Sequence, residues 1–172
     1  MPAAILAGGQ STRMGSDKAM IAIDGIPLAV RTARVLKASG CTPIHLVGRQ
    51  PALTTLGLPL ITEENDAHHP LYGVSAALSQ CTHELMLIAP CDIVNLARHH
   101  IQELLAYGQP CFAASGSQTH PLLGLFDVQS ASEAHRIAMA NGSVHEFTSG
   151  MPIVNLPSPH IVNANFPHDL SN

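Results

Sequence analysis

Residues 2–18 read PAAILAGGQSTRMGSDK, and the fold is decided here. Pro2 to Ala7 form a continuous apolar run that breaks at Gly8-Gly9. A strand buried on both faces has this pattern, and such strands belong to parallel sheets. The run passes straight into a loop with Gly8, Gly9 and Gly15, together with Arg13 and Lys18. Glycines let backbone N–H groups approach an anion with no Cβ in the way. Arg13 offers a planar fork for a phosphate and Lys18 a mobile point charge. The loop contains neither GxxxxGK[ST] nor GxGxxG, so it is not one of the two common phosphate loops. It reads as a polyphosphate cradle at the C-terminal end of a parallel strand, where open α/β sheets bind ligands.

Working outward, strands and helices alternate. Residues 27–39 have helical periodicity, with Pro27 suited to the first turn and Gly40 to the stop. Strands follow at 44–47 and 58–61, then a helix rich in small residues at 71–81. Residues 84–89 (ELMLIA) are a second apolar run, ended by Pro90. A helix over 95–107 is expected to start on Asn95 as N-cap and stop at Gly108. This alternation predicts an α/β fold with helices on both faces of a mostly parallel sheet. The rhythm then changes. Residues 110–115 and 121–128 read as adjacent strands, so an antiparallel element should join the sheet. Residues 130–141 read as a helix opened by a capping box, Ser130 to Glu133. Residues 151–166 read as strand and loop. No repeat or linker divides the chain, so residues 1–172 are expected to form one domain.

Composition narrows the function. The chain has 172 residues, of which 46% are hydrophobic and only 12% charged, with a net charge of −4. That is no footprint for DNA or RNA. No cluster of four Lys or Arg marks a membrane surface, and no run of 18 apolar residues spans one. The N-terminal apolar run is too short for a signal peptide, which places the protein in the cytoplasm. Cys41, Cys81, Cys91 and Cys111 have wide, irregular spacings and read as free thiols of a reducing compartment. The histidines lack metal-site spacing; His68-His69 and His99-His100 read as turn or surface residues.

Several polar residues stand at strand ends. Asp92 follows the run 84–89 and would face the crevice of the glycine loop. On its chemistry alone it is equally a Mg²⁺ ligand or a turn and capping carboxylate. Asn163 and Asn165 would point to one side of an extended segment and could hold a polar ligand or simply form a turn. His120 is either a donor to a ligand or a core residue. Cys91 reads as a small buried residue. Arg49, Glu63, Glu64 and Asp66 are either site residues or solvated loop charges.

The opening loop resembles LAGGxSxRMGxDK, the signature of the nucleotidyltransferases that include molybdenum cofactor guanylyltransferase. Three more segments match in order. His69-Pro-Leu-Tyr-Gly73 resembles the family's GPLAG turn, with His69 for the first glycine and Tyr72 for the small residue. Ala89-Pro-Cys-Asp92 resembles its PCD motif. Asn163 to Leu170 resembles N-x-N-T-P-E-D-L, with Phe166 for the threonine. His120-Pro121 resembles a family His-Pro step. The resemblance spans nearly the whole chain and implies a three-layer α/β/α Rossmann-like fold. It implies a nucleotide site of Leu6, Ala7, Gly8, Gly9, Lys18, Glu64, Leu71, Gly73 and Asp92. Arg13, Lys18 and Asp92 would be catalytic, with Mg²⁺ on Asp92. His120, Asn163 and Asn165 would bind the acceptor. An acidic residue for guanine belongs among Glu63, Glu64 and Asp66, and Glu64 is taken as the candidate.

The implied reaction is transfer of GMP from GTP to molybdopterin carrying molybdenum. Transient contacts with cofactor-biosynthesis proteins or apo-molybdoenzymes are the implied protein partners. Gly8-Gly9 resembles the guanylyltransferase form, whereas related cytidylyltransferases tend to have Ala-Gly. Those cytidylyltransferases, another small-phosphate nucleotidyltransferase and a non-catalytic nucleotide or pterin carrier are the alternatives. Lys18 and Asp92 are both present, which speaks against a carrier.

Overall fold

The alternating side chains of the first strand feed two separate cores. The computed structural model describes residues 1–8, 10, 11, 16–63, 69–157, 159 and 161–163. In β1 (Ala3–Leu6), Ala3 and Ile5 join one apolar cluster, while Ala4 joins the other. The first cluster is completed by α1 (Leu28–Ala38) and α3 (Arg98–Tyr107). The second is completed by α2 (Pro70–Ser79) and α4 (Ala131–Met139), which pack against each other. The continuous apolar run of β1 is therefore explained by helices on both faces, and the architecture is a three-layer sandwich.

The other sheet strands are β6 (Ile44–Gly48), β7 (Leu60–Thr62), β8 (Leu85–Pro90), β9 (Cys111–Ser115), β10 (Gln118–Asp127) and β11 (Ile153–Asn155). Their order is β11-β9-β10-β8-β1-β6-β7. β1 lies parallel to both β6 and β8, and β6 parallel to β7. The chain first builds outward from β1 through β6 and β7, then crosses back to place β8 on its other side. The crevice at such a reversal is where doubly wound sheets bind ligands. The expected antiparallel element is β10, antiparallel to both β8 and β9. Its register shifts between His120 and Gly124. A Cβ on Gly124 would collide with Cys111 O and Phe112 Cα, so only glycine lets β10 lie this close to β9.

Two short pairs precede α1. β2 (Gln10–Ser11) pairs with β3 (Ser16–Asp17), folding the glycine loop back on itself. β4 (Ala22–Ile23) pairs with β5 (Ile26–Pro27) around Asp24-Gly25, both at positive φ. Asp-Gly at two left-handed positions is a favoured two-residue hairpin turn, and the sequence reading passed over it. A four-residue α5 (Val144–Phe147) was also passed over; Ser143 caps it by accepting from Glu146 N–H at 3.0 Å.

Two expected helix starts are corrected. α3 begins at Arg98, and Asn95 does not cap it: Asn95 Oδ1 accepts from Val162 N–H at 2.8 Å, tying the C-terminal segment to the loop after β8. His100 supplies the α3 cap, its Nδ1 accepting from Ala97 N–H at 3.2 Å. The Ser130–Glu133 capping box does not form. Ser130 Oγ donates to Asp127 O at 2.6 Å, and Glu133 turns along its helix to Arg136 at 2.7 and 2.8 Å. A bidentate arginine three residues on, less than one turn away, competes successfully with the backbone N–H for an exposed carboxylate. Among the described residues, no helix is long and apolar enough to cross a membrane.

Candidate active site

The crevice is assembled from the C-terminal ends of four parallel strands. β1 ends at Leu6, and the next residues are held on both sides. Ala7 N–H donates to Val47 O at 2.8 Å, and Cys91 N–H donates to Leu6 O at 3.1 Å. Leu6 pairs with Pro90 across the sheet. Proline ends β8 because it cannot donate to a further ladder. Together these contacts set Gly8 and Asp92 at one edge.

Lys18 and Asp92 meet there. Lys18 Nζ lies 2.9 Å from Asp92 Oδ2, across 74 residues of sequence, with side chains 20% and 16% exposed. The sequence reading expected both in one crevice, and the structure joins them directly. The other oxygen, Asp92 Oδ1, is buried and has no hydrogen-bond partner among the described residues. Two more buried atoms in the same neighbourhood, His120 Nε2 and Asn163 Oδ1, make no hydrogen bond of good geometry among the described residues, although the two side chains lie close enough to interact with each other. Asn163 is brought in by an antiparallel bridge to Ile93, the residue after Asp92. Burial pushes the His120 pKa below the usual histidine value; the neighbouring Asn163 side chain and the Asp92 charge offset part of this. A buried polar atom left unpaired is costly. Asp92 Oδ1, with the poorly satisfied His120 and Asn163 beside it, points to a ligand that completes the group.

On the other side of β1, an acidic side chain fills the space between two glycines. A Cβ on Gly8 would lie 2.5 Å from Glu63 Oε1, and a Cβ on Gly73 would lie 2.9 Å from it. Glu63 Oε2 sits 3.7 Å from Arg49 Nε, with side chains 9% and 18% exposed. Spacing could not reveal this contact. Gly8 and Gly73 belong to separate motifs, and nothing in either names the side chain between them. Glu63 and Arg49 were candidates only as strand-end charges.

The departures at the turn before α2 also acquire a reason. His69 caps the helix: its Nδ1 accepts from Leu71 N–H at 3.2 Å. The proton then resides on Nε2, which donates to Gly142 O at 2.7 Å. Tyr72 stands edge-on to His69 and His135 at 6.2 and 5.5 Å, and its hydroxyl contacts Met139 Sδ at 3.3 Å. Both replacements serve the packing of α2 on α4. The Leu71 side chain is fully buried in that layer, and Gly73 is buried facing Glu63.

Cys91 is buried, and all four cysteines are free thiols. Burial raises the pKa of Cys41 and Cys111. Among the sequence candidates, Gly9, Arg13, Gly15, Glu64, Asp66 and Asn165 lie outside the described residues.

Comparison with known proteins bears on the family and the fold. A relative from Cupriavidus metallidurans, named molybdenum cofactor guanylyltransferase, is 37% identical over 103 residues, covering 58% of this chain and 51% of its own length. One of the same name from Serratia proteamaculans is 32% identical over 127 residues, covering 70% of this chain and 64% of its own. The matched stretches thus span one half to two thirds of these relatives. The crystal structure of molybdopterin-guanine dinucleotide biosynthesis protein A from Archaeoglobus fulgidus superposes with a TM-score of 0.76 over 99% of this chain and 95% of that one, at 19% identity, which is a likeness of fold. The model of the MobA-like NTP transferase domain matches residues 3–149, from β1 to just beyond α5. Sheet order, crevice and family model agree: the chain belongs to the MobA-like NTP transferase domain family, a family of nucleotidyltransferases.

Proposed function

We propose that this protein transfers GMP from GTP to the terminal phosphate of molybdenum-bearing molybdopterin, forming the guanine dinucleotide and releasing pyrophosphate. The observation that carries the reading is the Lys18–Asp92 pair, whose second carboxylate oxygen is buried without a partner among the described residues. An oxygen of the acceptor phosphate attacks the α-phosphorus of GTP. A new P–O bond forms there, and the bond to the β-phosphate oxygen breaks with its electron pair on pyrophosphate. The attacking oxygen is already anionic, so no side chain need remove a proton. The work left to the protein is positioning and offsetting charge.

The donor set at Asp92 fits Mg²⁺. That ion takes one or two carboxylates and completes its shell with phosphate oxygens and waters, and Asp92 Oδ1 is an oxygen with no other use. Bound there, it would neutralise charge on the phosphate oxygens. Lys18, held by Asp92, aims its ammonium at the triphosphate, and Arg13 is its companion from the glycine loop. Gly8 and Gly9 bring backbone N–H groups close. His120, Asn163 and Asn165 would hold the acceptor. Glu63 is engaged by Arg49, and Glu64 remains the candidate to accept from the guanine N–H groups.

Thermal melts test the nucleotide half. With Mg²⁺ and GTP at about 100 times its dissociation constant, stability should rise by roughly 2.7 kcal/mol. At about 2–4 °C per kcal/mol this is readily measured. CTP and ATP should give much smaller shifts. A CTP-selective shift would replace the guanylyl reading with a cytidylyl one. Pyrophosphate release from GTP, only with the molybdenum-bearing acceptor present, tests the transfer. Nucleotide binding without that release would favour a carrier.

A further inference from the structure

We infer that the groove between α1 and the loop after β8 receives an acidic, apolar segment of a partner protein. The starting observation is a charge asymmetry. The chain has eight Lys and Arg residues and a net charge of −4. Lys18, Arg49 and Arg136 each face a carboxylate. α1 carries three cations, Arg31, Arg34 and Lys37, and no acidic residue. Among the described residues, Arg31 and Arg34 make no hydrogen bond or ion pair. They stand one turn apart, where like charges repel. An unpaired pair of guanidiniums, held together on an acidic protein, is suited to an anionic ligand from outside.

The second observation is what lies between them. Arg31 and Arg34 line an open groove of about 180 Å³ whose other walls are mainly apolar: Ile26 from β5, Val35 from α1, and Val94 and Leu96 from the loop after β8. The groove is too small for a helix and large enough for one aliphatic or aromatic side chain. A bare phosphate would gain nothing from four apolar walls. A peptide that inserts one apolar side chain and places an Asp or Glu on each flank would use walls and cations together, the arrangement of a small hot spot with a charged rim. Nucleic acid is disfavoured by the net charge.

The position gives the groove meaning. Thr32 Oγ1 donates to Cys91 O at 3.5 Å, so α1 backs directly onto the loop that presents Asp92. Ile93 follows Asp92 and also lines the groove. The partner segment would sit on the outer side of that loop, at the rim of the crevice. The inference stands on the groove and its arginines and does not depend on which nucleotide is used.

Displayed random dodecapeptides would be panned on the full chain, with Arg31→Glu/Arg34→Glu as counter-selection. The expected result is enrichment of sequences that join Leu, Ile, Met or Phe to Asp or Glu. A synthetic consensus peptide should then bind the wild type by fluorescence anisotropy. Its affinity should fall at least ~10-fold, one power of ten in Kd, on Arg31→Gln/Arg34→Gln, a variant that keeps side-chain bulk. It should fall similarly on Val94→Asp, and also as salt rises. Variants are compared at equal circular dichroism and equal thermal shift with GTP and Mg²⁺, so a failure of the nucleotide reading stays separate. The inference is overturned if no acidic–apolar sequence is enriched, or if the glutamine variant binds as tightly as the wild type. Equal binding by an acidic peptide without apolar residues, or competition by inorganic phosphate, would also overturn it.

Discussion

His100 and His120 are both buried, and burial lowers the pKa of both. They differ in what their nitrogens do. His100 is fully satisfied: Nδ1 accepts from Ala97 N–H at 3.2 Å, and Nε2 donates to Pro157 O at 3.1 Å. It pins the start of α3 to the chain after β11. His120 Nε2 has no hydrogen bond of good geometry among the described residues and faces Asn163 and Asp92. A buried histidine with both nitrogens bonded within the protein is part of the fold. One whose nitrogen is poorly satisfied among other poorly satisfied polar atoms is a candidate for a site. Composition cannot separate the two cases, since His99-His100 looked like a surface pair and His120 like an isolated residue before a proline.

The contrast can be broken at several points. The largest effect is expected at the open cluster itself. Lys18→Ala should lower kcat by about 10²–10³, the usual loss when one donor to developing charge is removed, with little change in the melting temperature; pyrophosphate release and a melt check both. Next is the closed histidine. His100→Leu should cost about 2–3 kcal/mol, because a buried N–H and a C=O lose their partners. Urea unfolding measures this, and the activity of the folded fraction should be unchanged. His120→Leu should do the reverse. Stability should hold or rise, since a poorly satisfied nitrogen is removed, while the acceptor KM should increase ~10-fold, about 1.4 kcal/mol of binding. Equal destabilisation by the two substitutions would end the distinction.

The smallest effect is in pH. The folded-state pKa of His100 is depressed, so folding favours its neutral form. Its contribution is present above the ordinary value of about 6.5 and is lost as pH falls from there through the folded pKa. The melting temperature of the wild type should therefore fall more steeply between pH 7 and pH 5 than that of His100→Gln.

Much of this architecture was legible because the burial of a parallel strand leaves a continuous apolar signature. β1 and β8 were visible as PAAILA and ELMLIA, and the change of rhythm after residue 110 announced β10. The crevice followed from where those strands end, so Lys18 and Asp92 could be expected together. Contacts between side chains distant in sequence were not legible. The placement of Glu63 between Gly8 and Gly73 is one. The diversion of Asn95 to Val162 is another: a good capping residue is also a good acceptor for any N–H brought near it, and only tertiary structure chooses between the two. The Ser130–Glu133 box failed for the same reason, with Arg136 as the competitor.

The contact among Gly8, Glu63 and Gly73 also bears on how such a protein can change over time. Three positions, from the ends of β1 and β7 and from within α2, share one small volume. A methyl group added at either glycine displaces the Glu63 carboxylate from its place or favours a shorter acid there, and a shorter acid alone leaves a gap beside Gly8. Gly8→Ala and Glu63→Asp should therefore each impair the protein more than the two together, a coupling that a double-mutant cycle reads directly. Substitutions at these three positions are therefore expected to be felt through one another.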